Sequence, residues 1–190
     1  MEKDFFDVFP HLKVKKELEE LLDMVFVTKV SMNPGRTHLR VYIESSRWIH
    51  KKNIFALEDE IERQCFPGIP MTVTVVEKFH LSEQYTPENF LESYRSSMEL
   101  ELRSYNMLEY NLFRRTKITF TGKDAMRMEL PDTVISRQKS EILIEYFHKV
   151  FCERCGMHLK VDLDFVEAKE SKYRKNAALQ IKQEVENVLK

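Results

Sequence analysis

Met24-Val25-Phe26-Val27-Thr28-Lys29-Val30-Ser31-Met32 runs into Asn33-Pro34-Gly35-Arg36 and out again through Thr37-His38-Leu39-Arg40-Val41-Tyr42-Ile43-Glu44. Two stretches rich in β-branched and aromatic residues around a Pro-Gly turn read as a β-hairpin. After it, Ile54, Leu57, Ile61 and Cys65 recur at the spacing of one helix face, Phe66-Pro67-Gly68 stops the helix, and Met71 to Glu77 alternates as a strand. The order is β-β-α-β, and it returns. Thr116-Lys117-Ile118 opens a second hairpin that turns at Gly122-Lys123-Asp124. A helix then carries Ile142, Leu143, Tyr146, Phe147, Val150 and Phe151 as far as Gly156, and residues 158–167 form the closing strand. Matched positions lie 87 to 90 residues apart, and Cys65 and Cys152 both fall near the ends of their helices. The likeness is one of layout rather than of side chains, and the expected fold class is α+β, built from two small modules.

Leu18, Leu21 and Leu22 mark a short helix ahead of the first hairpin, ending near Asp23. Between the modules, Thr86 caps and Pro87 opens a long helix, because proline's missing N–H would have no partner in the first turn. Its apolar stripe runs through Leu91, Tyr94, Met98, Leu102, Tyr105, Leu108 and Leu112, predicting one helix from Pro87 to Phe113. From Ala168 the pattern is that of a charged helix, Lys172 to Leu189. The organisation read from the chain is therefore a module over residues 1–82, a linking helix over 83–115, a second module over 116–168 and a charged helical connector over 169–190, leading toward a further domain.

Hydrophobic residues make up 43% and charged residues 32% of the 190, a globular composition that two modules can share. Thirty basic side chains stand against 31 acidic ones, so no global field draws in nucleic acid. Only residues 169–190 are basic, with six Lys or Arg against three Glu, which reads as a solvated helix face. The N-terminal residues mix acids with phenylalanines and form neither a secretory signal nor a membrane span, and three cysteines without an export signal point to reduced thiols in the cytoplasm.

Catalytic chemistry is sparse. Cys152-Glu153-Arg154-Cys155 is a CxxC flanked by His148 and His158, but it sits at a helix C-terminus, where the dipole opposes a thiolate, and packing is the expected role. His11, His38, His50 and His80 are scattered, with no nucleophile set beside them. Asp162 and Asp164 share one face of the last strand, as the wet face of an antiparallel sheet requires. No catalytic residue, metal site or cofactor is assigned. A β-β-α-β unit also invites comparison with KH modules of the truncated type II form, yet the GxxG clamp of that fold is absent.

The run Phe5-Phe6-Asp7-Val8-Phe9-Pro10, then Lys29-Val30, Leu39-Arg40-Val41-Tyr42-Ile43 with Trp48-Ile49, and Phe113-Arg114-Arg115-Thr116-Lys117-Ile118 resembles the amino-terminal region of PolC-type DNA polymerase III α subunits of Gram-positive bacteria. The resemblance covers essentially the whole chain and rests on layout and diffuse similarity. It implies a non-catalytic part of a DNA-directed DNA polymerase with an embedded 3′–5′ exonuclease, whose metal-binding acids lie downstream. It also implies likeness of the first module to the polymerase-binding end of the clamp loader's tau subunit, hence replisome proteins as partners. The Leu112-Phe113 pair ending Glu109-Tyr110-Asn111-Leu112-Phe113 is similar to sliding-clamp peptides, but a helix suits packing better than an extended peptide. Two roles remain open: a protein-interaction platform, or a nucleic-acid-binding module contacting DNA through Arg114, Arg115 and Lys117 with Lys172, Arg174 and Lys175.

Overall fold

The hairpin stretch forms β2 and β3 of a four-stranded sheet, after a two-residue strand and two short helices. The elements are β1 (Lys3–Asp4), α1 (Phe5–Val8), α2 (Lys16–Leu22), β2 (Val25–Met32), β3 (His38–Ser45), α3 (Lys51–Cys65) and β4 (Thr72–Phe79). The structure, a computed structural model, describes residues 2–167; the charged helix expected at 172–189 lies outside the described residues. The strand order is β1-β2-β3-β4, with β2 antiparallel to β3 and β4 parallel to β3 through the α3 crossover. Val41, Ile43, Val73 and Val75 alternate onto one buried face with Ile54, Leu57 and Ile61 of α3.

The expected single linking helix is two. α4 (Pro87–Tyr105) carries the Thr86 capping box, and α5 (Met107–Arg115) begins after Asn106, which adopts an extended φ of −156° and ψ of 116°. Asn106 closes one helix and starts the next: its N–H donates to Leu102 O at 2.8 Å, and its side-chain oxygen accepts from Leu108 N at 2.9 Å. The apolar stripe stays buried to Leu102, but Tyr105, Met107 and Leu108 at the break are exposed.

The second module consists of β5 (Lys117–Gly122), β6 (Ala125–Pro131), α6 (Val134–His148), a π-helical turn (Lys149–Arg154) and β7 (Lys160–Val166). It repeats the first module's connection, with β5 antiparallel to β6 and β7 parallel to β6. The wet face expected for β7 is present, since Asp162 and Asp164 are exposed, but the sheet is mixed rather than antiparallel because an α-helical crossover returns the chain in the same direction. Arg127 pairs with Asp164 across that face at 3.4 Å. Gly156 ends the helix at a φ of 66°, a left-handed conformation open to glycine.

Phe90 and Tyr94 of α4 stack at 4.8 Å, and Phe151 of the π-helical turn meets Phe90 edge-on at 5.4 Å while stacking on Phe147 at 5.8 Å. These rings join the apolar interiors of both sheets into one continuous core.

Among the described residues no helix is long and apolar enough to cross a membrane.

Candidate functional site

Four charged residues from four elements meet in that core. Lys51 opens α3, Glu77 lies on β4, Glu101 on α4 and Arg154 on the π-helical turn, and all four are buried. Each occupies a position in phase with apolar neighbours: Lys51 three residues before Ile54, Glu77 between Val75 and Phe79 along the strand, Glu101 seven after Tyr94, and Arg154 seven after Phe147. The periodicity that buries those neighbours carries the charges inward with them.

Arg154 binds Glu101 as a fork, with Nη1 donating to Oε2 at 2.9 Å and Nη2 to Oε1 at 2.8 Å. Lys51 Nζ donates to both oxygens of Glu77 at 2.8 Å and reaches Glu101 Oε1 at 3.2 Å. Tyr146 Oη donates to Glu101 Oε2 at 2.9 Å, and Arg154 Nη1 donates to Tyr94 Oη at 3.2 Å. The backbone N–H of Lys51 donates to the buried Ser97 hydroxyl at 3.0 Å. Two cations face two anions, and every buried side-chain polar atom among the described residues has a partner.

Burial pushes the Glu101 carboxyl up, but Arg154, Lys51 and Tyr146 outweigh it and hold it at about 2. Burial raises the Tyr94 and Tyr146 phenols, the latter strongly. Burial opposes the charge on Arg154, yet Glu77 and Glu101 keep it firmly protonated. Glu101 and Arg154 are thereby both held in their charged forms. What the cluster does is bind: α3 and β4 of the first module, α4, and α6 with its π-helical turn all converge on Glu101. A cleft of about 230 Å³ opens above it, walled by Tyr42, Val76, Tyr105, Lys149 and Glu153.

A second device lies along β4, an edge of its sheet. Glu62 Oε1 accepts from Val73 N at 2.6 Å and Glu58 Oε1 from Val75 N at 2.7 Å, so two carboxylates one helical turn apart on α3 seal the outward amides of the strand. Burial, opposed by the Val75 N–H and Lys51, raises the Glu58 carboxyl to about 7. The folded chain therefore keeps a proton that the unfolded chain releases above its ordinary 4.5, and this group's stability is lost as pH rises from about 4.5 to 7. In Glu58→Gln the amide oxygen still accepts from Val75 and the titration is gone. Urea midpoints of the variant should fall less than those of the parent between pH 5 and 7.5, and parallel profiles would contradict this.

The residues singled out from sequence lie elsewhere. Arg114 and Arg115 are exposed in the last turn of α5, Arg114 over the Tyr110 ring at 5.8 Å and Arg115 on a groove with Leu108 and Ile135. Lys117 is paired with Glu129 at 3.0 Å. Lys172, Arg174 and Lys175 lie outside the described residues. Leu112 and Phe113 are buried in α5. Cys155 is buried, its thiol pushed up to about 12 by burial, and Cys152 Sγ lies 3.5 Å from His148 Nδ1.

His50 caps α3 and contacts Ser96, and His38 contacts Thr74.

Residues 4–75 match the family described as DNA polymerase III polC-type N-terminus I. No curated protein matches the chain.

Proposed function

With residues 4–75 matching the N-terminus I family of polC-type DNA polymerase III, we propose that this chain is a non-catalytic amino-terminal platform of such a polymerase, docking replisome proteins in the cytoplasm. The match over residues 4–75 supports a role in DNA replication. DNA-directed polymerase and 3′–5′ exonuclease activity belong, in this reading, to the parent protein and not to these residues. The KH-like reading of the two modules goes with it, supported by their common β-β-α-β order.

The observation that carries the platform reading is that five of the eight Lys and Arg of the second module, Arg154 in the core among them, are paired with acids. Lys117 pairs with Glu129, Arg127 with Asp164, Arg137 with Asp132 and Lys139 with Glu109. A surface built to grip phosphates would leave such cations free. The clamp-loader tau subunit is the first partner to try, as the partner that the family resemblance implies.

The test is a pull-down of the 190-residue chain against purified replisome proteins, with primer-template DNA titrated in parallel at several salt concentrations. Retention of a replisome protein, only weakly salt-dependent, is the expected result. DNA binding at micromolar strength that falls steeply with salt and disappears in Arg114→Ala/Arg115→Ala would favour the nucleic-acid role instead.

A further inference from the structure

The two long edges of the first sheet are treated differently. On β4 the carboxylates of Glu58 and Glu62 occupy the outward amides of Val75 and Val73. On β2, among the described residues, only Lys3 and Asp4 pair, and they reach no further than Val27 and Phe26. Among the described residues, no strand lies beside this edge from Lys29 to Met32. Exposed strand edges accept further strands, and natural proteins blunt them where no partner is intended.

The side chains there have a pattern. A bulge at Thr28 resets the register, so Lys29 stands opposite Tyr42, Val30 opposite Val41 and Met32 opposite Leu39. Val30 and Met32 thus lie on the face that β3 turns into the core, yet each is 44% exposed, because the layer that covers Val41 and Leu39 stops short of the edge. On the other face Lys29 lies over the Tyr42 ring at 5.3 Å, and Arg40 is exposed beside it. Neither cation has an ion-pair partner among the described residues.

We propose that the β2 edge from Lys29 to Met32 is a strand-addition site, taking an extended partner segment antiparallel to β2 in continuation of β1. Alternation sets the chemistry of that segment. Aliphatic side chains at every second position cover Val30 and Met32, and acidic ones between them meet Lys29 and Arg40. The short β1 already makes this antiparallel pairing with the first residues of β2, and the cationic outer face supplies the charge complement. The inference rests on the platform reading and names the kind of partner segment it takes.

The probe is an acetylated and amidated peptide, Thr-Val-Glu-Val-Glu-Val-Thr, titrated into the isotope-labelled 190-residue chain by NMR. Amide shifts confined to residues 28–32 and their β3 neighbours are expected. Val30→Lys/Met32→Lys, at exposed positions, should weaken binding at least tenfold without shifting the melting temperature. Lys29→Glu should weaken this peptide and favour its counterpart with lysines in place of the glutamates. Failure of the peptide to bind, equal binding of a scrambled peptide, shifts at the β5 or β7 edges, or self-association of the chain through β2 would each overturn the proposal. If a replisome protein is retained and Val30→Lys/Met32→Lys leaves its affinity unchanged, the edge is wrong and the platform stands; if no replisome protein is retained at all, the platform reading fails.

Discussion

Arg154→Ala should lower the unfolding free energy by about 3–5 kcal/mol, the cost of leaving a buried carboxylate without its cation. The guanidinium is 5% exposed and supplies both hydrogen bonds of the fork to Glu101, itself 1% exposed. Lys51 lies 3.2 Å from Glu101 but is already committed to both oxygens of Glu77, so it cannot replace the lost partner. Urea denaturation at neutral pH measures the change. The double variant Arg154→Met/Glu101→Met removes both charges and keeps the volume, leaving the Lys51–Glu77 pair neutral overall, and should recover most of the loss. A double variant as unstable as Arg154→Ala would mean that packing around the turn, and not the unpaired carboxylate, sets the cost.

Phe151→Ala should be comparably damaging, at about 3–5 kcal/mol for a fully buried aromatic ring. Its particular value lies in where the ring sits. Phe151 belongs to the second module, and Phe90, which it meets edge-on, belongs to α4, which also packs against α3 of the first. One shared core predicts a single cooperative transition, with the melting temperature lowered by roughly 10 °C for a domain of this size. Two separated transitions in calorimetry, with only the later residues destabilised, would show that the modules fold independently and that the aromatic contact joins them only loosely.

Much of the fold was legible along the chain because the signals are local. Alternation in residues 24–44 and 71–77, the Asn33-Pro34-Gly35-Arg36 turn and the three-to-four spacing of Ile54, Leu57 and Ile61 give strand, turn and helix, and the structure places them at β2, β3, β4 and α3. The long helix misled for a physical reason. Leu102, Tyr105 and Leu108 keep helical phase straight across Asn106, so periodicity alone reads through a break that a side-chain cap creates. The parallel return of β7 was equally invisible, since alternation reports burial and says nothing of the neighbouring strand's direction.

The ion cluster marks the division most clearly. Its members could be found as charged residues standing in phase with buried apolar ones, a pattern visible at Glu77 between Val75 and Phe79. That pattern says a charge goes inside; it does not say which charge meets it. Lys51 and Glu77 are 26 residues apart, and Glu101 and Arg154 are 53. The sequence by itself determined most of the elements and their repeated order, because each depends on residues a turn or two away. Only the tertiary structure decided that the four neutralise one another, and that β4 is sealed while β2 is open, because a buried charge is stabilised by whatever the fold brings to within about 3 Å of it.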